Sequence, residues 1–227
     1  MARTTFADRR EAGRELAQAV AALDLPGPVV LALPRGGVPV GFEVAKALGA
    51  PLDLLMVRKI GAPGHEEYGI GALVDGAAPQ VAVDEDAARA VGADQAYIDM
   101  QVARALAEIE RRRALYQAGP PVTLEGRTAI VADDGIATGS TVRAALRGLG
   151  QARAAQVVLA VPVAPSDVLP DMERLCDRVI CLSTPFPFHA VGRHYRDFSQ
   201  TADEEVVRLL AEARQWEKAG LRDAKLP

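Results

Sequence analysis

Two adjacent carboxylates, a run of small residues and three hydroxyls stand together in Asp133-Asp134-Gly135-Ile136-Ala137-Thr138-Gly139-Ser140-Thr141. The apolar run Thr128 to Ala132 leads into them and reads as a buried strand, and a helix is expected to begin near Thr141. Successive backbone N–H groups in such a turn form an anion nest, and a helix N-terminus adds partial positive charge. Gly139 lets the backbone approach an anion closely. Thr138, Ser140 and Thr141 add hydroxyl donors. Carboxylates beside an anion nest are consistent when one ligand carries both a phosphate and hydroxyls. A ribose 5-phosphate does: the nest takes the phosphate, and Asp133 and Asp134 accept from the 2- and 3-hydroxyls.

Other phosphate-binding patterns fit less well. A Walker loop places a Lys after its final glycine, where this chain has Ser140. A haloacid-dehalogenase-like phosphatase wants aspartates two apart, and these are adjacent. The plain structural alternative is a strand-to-helix turn with a capping hydroxyl. Elsewhere, Pro34-Arg35-Gly36-Gly37 follows an apolar run; Arg35 offers a forked donor for phosphate oxygens, and the glycines permit backbone contact. Taken alone this tetrapeptide is a turn. Phe186, Phe188, Tyr195 and Phe198 share one segment and could stack on a planar ligand or pack among themselves. Zinc at Cys176, Cys181, His189 and His194 fits the usual ligand spacing only at its limit, and burial on a strand accounts for Cys181.

The elements that must hold these residues alternate between strand and helix. Residues 5–23 read as an amphipathic helix with Phe6, Leu16, Val20 and Leu23 on one face. Val29 to Leu33 and Leu52 to Val57 read as strands around a helix over Val38 to Leu48. Arg58 to Tyr68 reads as a loop, with Ile70 to Val74 and Gln80 to Val83 as a hairpin beyond it. Residues 84–117 read as helix, Gln156 to Val161 and Arg178 to Leu182 as strands with a short helix between them, and Asp203 to Trp216 as a last helix. The expected fold is α/β: an open, mostly parallel sheet with flanking helices. We expect a single domain over residues 1–227, with a helical insertion at 84–118 and a small C-terminal hood at 184–200.

The bulk composition narrows the partners. The 227 residues are 49% hydrophobic and 25% charged, with a net charge of −4, so no global basic field draws nucleic acid or an anionic membrane. The arginines of 104–113 are interleaved with Glu108 and Glu110, which reads as a solvated face. No apolar run reaches the length of about 18 residues that a membrane helix needs. Two cysteines make no disulfide framework, so a cytoplasmic location is expected.

The stretch from Ala129 to Thr141 resembles the phosphoribosyl pyrophosphate (PRPP) signature of type I phosphoribosyltransferases: four apolar residues, two acidic residues, a spacer, then Thr-Gly and hydroxyls. The resemblance implies transfer of phosphoribose from PRPP to an acceptor base, with Mg²⁺ as cofactor bridging the pyrophosphate and ribose hydroxyls. It implies that Asp133 and Asp134 hold the ribose and, indirectly, the metal, and that Ala137, Thr138, Gly139, Ser140 and Thr141 hold the 5-phosphate. Arg35, Gly36 and Gly37 would take the pyrophosphate, in a loop that in this family often contains a non-proline cis peptide. Arg58 and Lys59 resemble the charged content of the family's mobile lid, with Lys59 assisting departure of the leaving group. His65 and Glu66 belong to the same stretch, and either could equally be plain surface. Phe188 and its neighbours would form the hood over the base. One departure is Ala137: members that use 6-oxopurines often carry Asp there, so orotate, uracil, adenine or another acceptor stays open. A PRPP sensor without turnover, or a hydrolase of a ribose phosphate, also remains open. The resemblance leaves room for a homodimer.

Overall fold

The computed structural model describes residues 5–76, 79–150 and 152–223, with the side chains of Glu66, Glu67 and 217–223 outside the described set. In chain order the elements are α1 (Arg9–Ala21), β1 (Pro28–Ala32), α2 (Gly37–Leu48), β2 (Leu52–Leu54), β3 (Val57–Ala62), β4 (His65–Val74), β5 (Gln80–Val83), α3 (Glu85–Ala90) and α4 (Gln95–Leu115). Then follow β6 (Thr128–Ala132), α5 (Ser140–Leu149), β7 (Gln156–Val163), α6 (Leu169–Glu173), β8 (Arg178–Ser183), a 3-10 turn at Val191–His194, and α7 (Asp203–Asp223).

Five strands form a parallel sheet in the order β2-β1-β6-β7-β8, as the strand–helix alternation led us to expect. Its central strands are apolar at successive positions because helices cover both faces. Val30, Ala32, Ile130, Ala132, Val158 and Ala160 point into the core under α1, α2 and α7. Their alternates Val29, Leu31, Ala129, Val131, Leu159 and Val161 point into the core under α5 and α6. The order carries a functional consequence. β1 hands over through α2 to β2 on one side, and β6 through α5 to β7 on the other. The connections therefore part between two paired neighbours, β1 and β6, and open α/β sheets bind ligands outside the carboxyl ends at such a reversal. Residues 33–37 and 133–139 leave the sheet there.

Four expectations are corrected. The stretch 58–68 is not a loop: β3 and β4 form a hairpin turning at Pro63-Gly64, and β5 completes a separate antiparallel sheet of order β3-β4-β5. Of the two glycines that suggested a loop, Gly61 lies within β3 and Gly64 makes the turn at φ 73°. The register shifts between Ile60 and Ala62, and the Tyr97 hydroxyl donates to the Gly61 carbonyl at 2.9 Å. A side chain at Gly71 would lie 2.6 Å from the Ala82 carbonyl oxygen. The second core strand accordingly ends at Leu54 rather than Val57. The 84–117 helix is two helices, broken at Gly92 (φ 70°) because Asp84 and Asp94 each cap a separate N-terminus. Finally, Phe6 lies outside the first helix and bridges in β fashion to Tyr195.

A buried ionic knot ties the accessory elements to the sheet. Arg113 of α4 donates to Asp53 of β2 at 2.9 Å and to Asp75, after β4, at 2.7 Å. It also reaches the Gly119 carbonyl at 3.0 Å. Burial raises the Asp53 carboxyl above its ordinary range, and the Arg113 charge works against that rise. Asp53 was the one polar residue in its predicted strand, and this knot is why it is there. Among the described residues no helix is long and apolar enough to cross a membrane.

Candidate functional site

The two loops at the reversal pack against each other. A Cβ placed on Gly36 would lie 2.1 Å from an Asp134 carboxylate oxygen. One on Gly37 would lie 2.6 Å from the Ala132 carbonyl and 3.1 Å from an Asp133 carboxylate oxygen. Only glycine fits beneath the carboxylate pair, so the two glycines are there to let the loops meet. The Pro34–Arg35 peptide is cis. Beyond the carboxylates, Gly135 (φ 155°) lies under Val191 and Val163, and the Ile136 N–H donates to the Val163 carbonyl at 2.9 Å. The chain then turns through Gly139, left-handed at φ 74°, directly into α5. No side chain caps α5, so its first-turn N–H groups face a loop in which Ala137, Thr138, Ser140 and Thr141 are exposed. This is an open anion cradle with four accessible residues and two carboxylates at its base.

The carboxylate pair is strongly perturbed. Burial pushes Asp133 well above the ordinary aspartate range, and the neighbouring Asp134 charge pushes it further. Burial raises Asp134 too, while hydrogen bonding from Arg9 and its charge pull it back. The Arg9 Nε lies 2.7 Å from the Asp134 carboxylate. The Asp134 N–H donates to the Asp133 carboxylate at 2.9 Å, and the Tyr195 hydroxyl donates to the Asp134 carbonyl at 2.5 Å. Burial, and next the Asp134 charge, raise the Tyr195 phenol, so it remains a donor. Nothing in the sequence marked Arg9. It is one of several arginines on an amphipathic helix, and its partner is 125 residues away.

The other candidate residues divide. Arg35 leaves the same loop but bonds Asp203 of α7 at 3.3 Å, and Asp203 also accepts from the Tyr116 hydroxyl. Arg58 pairs with Glu108, whose carboxyl is held down at about 2 by hydrogen bonds from Arg111 and Arg112. Lys59 is exposed on β3 and lines two hollows against α5. One, of about 490 Å³, contains Thr141 and Arg104; the other, of about 570 Å³, contains Ser140, Arg143 and Arg147. Lys59 thus shares its surroundings with the cradle rather than with Arg35 to Gly37. His65 is exposed at the start of β4, and the Glu66 side chain is outside the described set. In the hood, Phe188 stacks on His194 with ring centroids 5.2 Å apart and joins a small core with Phe6, Val163 and Tyr195. Phe186 is 95% exposed and is the ring that faces solvent. The Cys176 and Cys181 thiols donate to backbone carbonyls, and burial raises both.

Among the described residues no group of three or more His, Cys, Asp or Glu side chains is arranged to hold a metal ion by itself. Asp133 and Asp134 are a two-donor oxygen set. That suits a hard cation whose remaining ligands are substrate oxygens and water, as Mg²⁺ commonly has.

Comparison with known proteins places the chain in a family. Residues 8–195 match the family described as phosphoribosyl transferase domain. Two Mycobacterium tuberculosis proteins, from strains CDC 1551 and H37Rv and provisionally named phosphoribosyl transferases, are each 45% identical over 221 residues, or 96% of this chain. The match takes in 49% of each, so the chain spans about half the length of these curated relatives. Among solved structures, TT1426 from Thermus thermophilus superposes with a TM-score of 0.80 at 42% identity, covering 92% of this chain and 98% of that one.

Proposed function

This chain belongs to the phosphoribosyl transferase domain family, and we propose that it transfers the phosphoribosyl group of PRPP to a nitrogenous base with release of pyrophosphate. The observation that carries this reading is the packing of Asp133 and Asp134 onto Gly36 and Gly37 beside an open anion cradle. A cradle alone suits any phosphate. A cradle with a carboxylate pair at its base and a glycine loop beneath suits a sugar phosphate carrying a second anionic group.

In the reaction the bond from ribose C1 to the pyrophosphate oxygen breaks and its electron pair leaves with pyrophosphate. A lone pair of the base nitrogen forms the new bond to C1, and the proton that nitrogen carried leaves to solvent. The N–H groups and hydroxyls of 137–141 hold the 5-phosphate and fix the ribose. Asp133 and Asp134 accept from its hydroxyls, and their negative charge stabilises the positive charge that develops on the ring. The backbone of Gly36 and Gly37 meets the pyrophosphate, and Arg35 joins it by exchanging its exposed Asp203 partner for phosphate oxygens. Lys59 and Arg143 add positive charge along the cradle's helix. Asp133 and Asp134, together with substrate oxygens, would hold Mg²⁺, which when bound would supply charge neutralisation of the leaving group. Phe186, one of the four aromatic residues expected at the hood, offers an exposed ring face to a planar acceptor.

The test is to incubate the protein with Mg²⁺, PRPP and a panel of bases and to follow pyrophosphate. Release that depends on one base is the expected result. PRPP binding without turnover for any base would make the chain a sensor, and no binding by folded protein would overturn both.

A further inference from the structure

The second sheet and α5 meet at one end and part at the other. Near the end of α5, Gly148 lies against Val74 of β4 with no room for a side chain. Towards its start the two hollows of about 490 and 570 Å³ open between α5 and the sheet, and both are lined by Lys59 and Ala144. Lys59 of β3 pairs in register with Ala72 of β4, and Ala72 with Ala82 of β5, so the three form one row on one face. Ile60, the next residue of β3, packs instead into the small core under α3 and α4. Beside Lys59 the row carries only methyl groups, which leaves the cleft its width.

The walls of this cleft are cationic. Arg104 of α4 lines one hollow with Lys59, and Arg143 and Arg147 of α5 line the other. Arg143 is paired with Asp171 at 3.2 Å. Among the described residues Lys59, Arg104 and Arg147 make no ion pair, although the chain carries a net charge of −4. The carboxylate that lines the cleft, Asp84, is engaged as the cap of α3, accepting from the Ala87 N–H at 2.9 Å. Arg143 and Arg147 stand four apart on α5, where like charges oppose the helix. Bringing these charges together therefore does nothing for the fold. Nor does PRPP account for them all: none of Arg35, Gly36, Gly37, Asp133 and Asp134 lines the cleft.

We infer that the cleft is a second anion site, which takes the phosphate chain of an oligophosphate. From Ser140 to Arg147 the helix rises about 10 Å, longer than a single phosphate and suited to a chain of several. Arginine forks and a lysine point charge are the donors such oxygens need. Thr141 lines one hollow and Ser140 the other, and both also belong to the cradle. An occupant of the cleft thus lies beside the 5-phosphate. The two anions repel, so each weakens the binding of the other by the same factor, and the cleft is an inhibitory site. The site stands apart from the PRPP reading, and only the inhibition rests on it.

The experiment titrates the full chain by calorimetry, without Mg²⁺, using tripolyphosphate, inorganic phosphate and a nucleoside triphosphate. It compares wild type, Arg104→Gln, Arg147→Gln, the double variant and the control Arg208→Gln. Arg208 is an exposed arginine of α7 whose contacts to Glu205 and Glu212 are 3.9 and 4.0 Å. Tripolyphosphate should bind at least about tenfold tighter than phosphate, and each cleft variant should weaken it by about fivefold to tenfold. The control should change nothing, and the cleft variants, with no ion pair to lose, should keep the wild-type Tm. Equal affinity for phosphate and tripolyphosphate, or tripolyphosphate binding that the double variant retains, would sink the inference. Tighter binding of the nucleoside triphosphate marks a nucleotide as the ligand and weaker binding the free chain; either must depend on Arg104 and Arg147. PRPP affinity is then read at constant free Mg²⁺. Saturating tripolyphosphate should lower it about tenfold in wild type and leave it unchanged in the double variant. Inhibition that persists in the double variant would put tripolyphosphate in the PRPP site itself and contradict the inference. If the protein binds tripolyphosphate through these arginines but does not bind PRPP, the PRPP reading falls and the cleft stands.

Discussion

Gly36→Ala is the sharpest perturbation the site offers. Gly36 has φ −60° and ψ −34°, which alanine adopts freely, so backbone strain is not at issue. The obstacle is one contact: the new Cβ would sit 2.1 Å from the Asp134 carboxylate oxygen. Ordinary heavy-atom contacts lie near 3.5 Å, so that oxygen must retreat by about 1 Å or more. It is the same oxygen that accepts from Arg9. Losing a hydrogen bond between charged groups costs about 1.5–3 kcal/mol, and restricting the unfolded chain returns about 0.4–1 kcal/mol. The net destabilisation is about 1–2 kcal/mol, or about 2–8 °C in Tm for a chain of this size. PRPP affinity should fall at least about tenfold, equivalent to the loss of one good contact. Thermal unfolding and calorimetry with Mg²⁺–PRPP measure both. Gly69→Ala is the control: nothing lies within 4 Å of its Cβ, and it should change stability by no more than about 0.5 kcal/mol. A Gly36→Ala protein with unchanged Tm and affinity would refute the contact between the two loops on which the site is built.

Two further outcomes follow from the buried charges. Asp133 carries a folded-state pKa raised above the ordinary 3.8, so across the window above 3.8 the folded chain retains a proton that the unfolded chain has released. Stability therefore falls as pH rises through that window, and this loss is complete above the folded value. Asp133→Asn should flatten the fall and raise Tm at pH 7 while removing PRPP binding; a lowered Tm would contradict the account in which burial, and next the Asp134 charge, penalise the ionised Asp133. Arg113→Met strands the Asp53 and Asp75 carboxylates in the interior and should cost about 3–5 kcal/mol by urea denaturation, whereas an effect below about 1 kcal/mol would mean that the knot is not closed in solution.

The parallel sheet was legible because its strands are apolar on both faces, and Asp133 to Thr141 because its mixed chemistry at fixed spacing suits few ligands besides a sugar phosphate. Pairing hid the rest. The stretch 58–68 reads as a loop while Gly61, Pro63 and Gly64 are counted as breakers, and becomes a hairpin only once Val57 to Ala62 is paired with His65 to Val74. Asp94 inside a long helical pattern looks like a surface charge until its carboxylate is seen to accept from the Tyr97 N–H at 2.8 Å, starting a new helix. Phe188 and Phe186 are alike in sequence, and only the small core around Tyr195 decides which ring is spent on packing. Arg9 was out of reach for a different reason: its role exists only where α1, the hood and β6 meet.

The central claim is that the loop after β6 holds a ribose 5-phosphate. Calorimetric titration of the protein with Mg²⁺–PRPP, repeated with ribose 5-phosphate as competitor and with Asp134→Asn, tests it most directly. One site per chain, displaced by ribose 5-phosphate and weakened at least about tenfold in Asp134→Asn, is the expected result. Saturable PRPP binding that ignores ribose 5-phosphate and survives Asp134→Asn would place the ligand elsewhere and contradict the account.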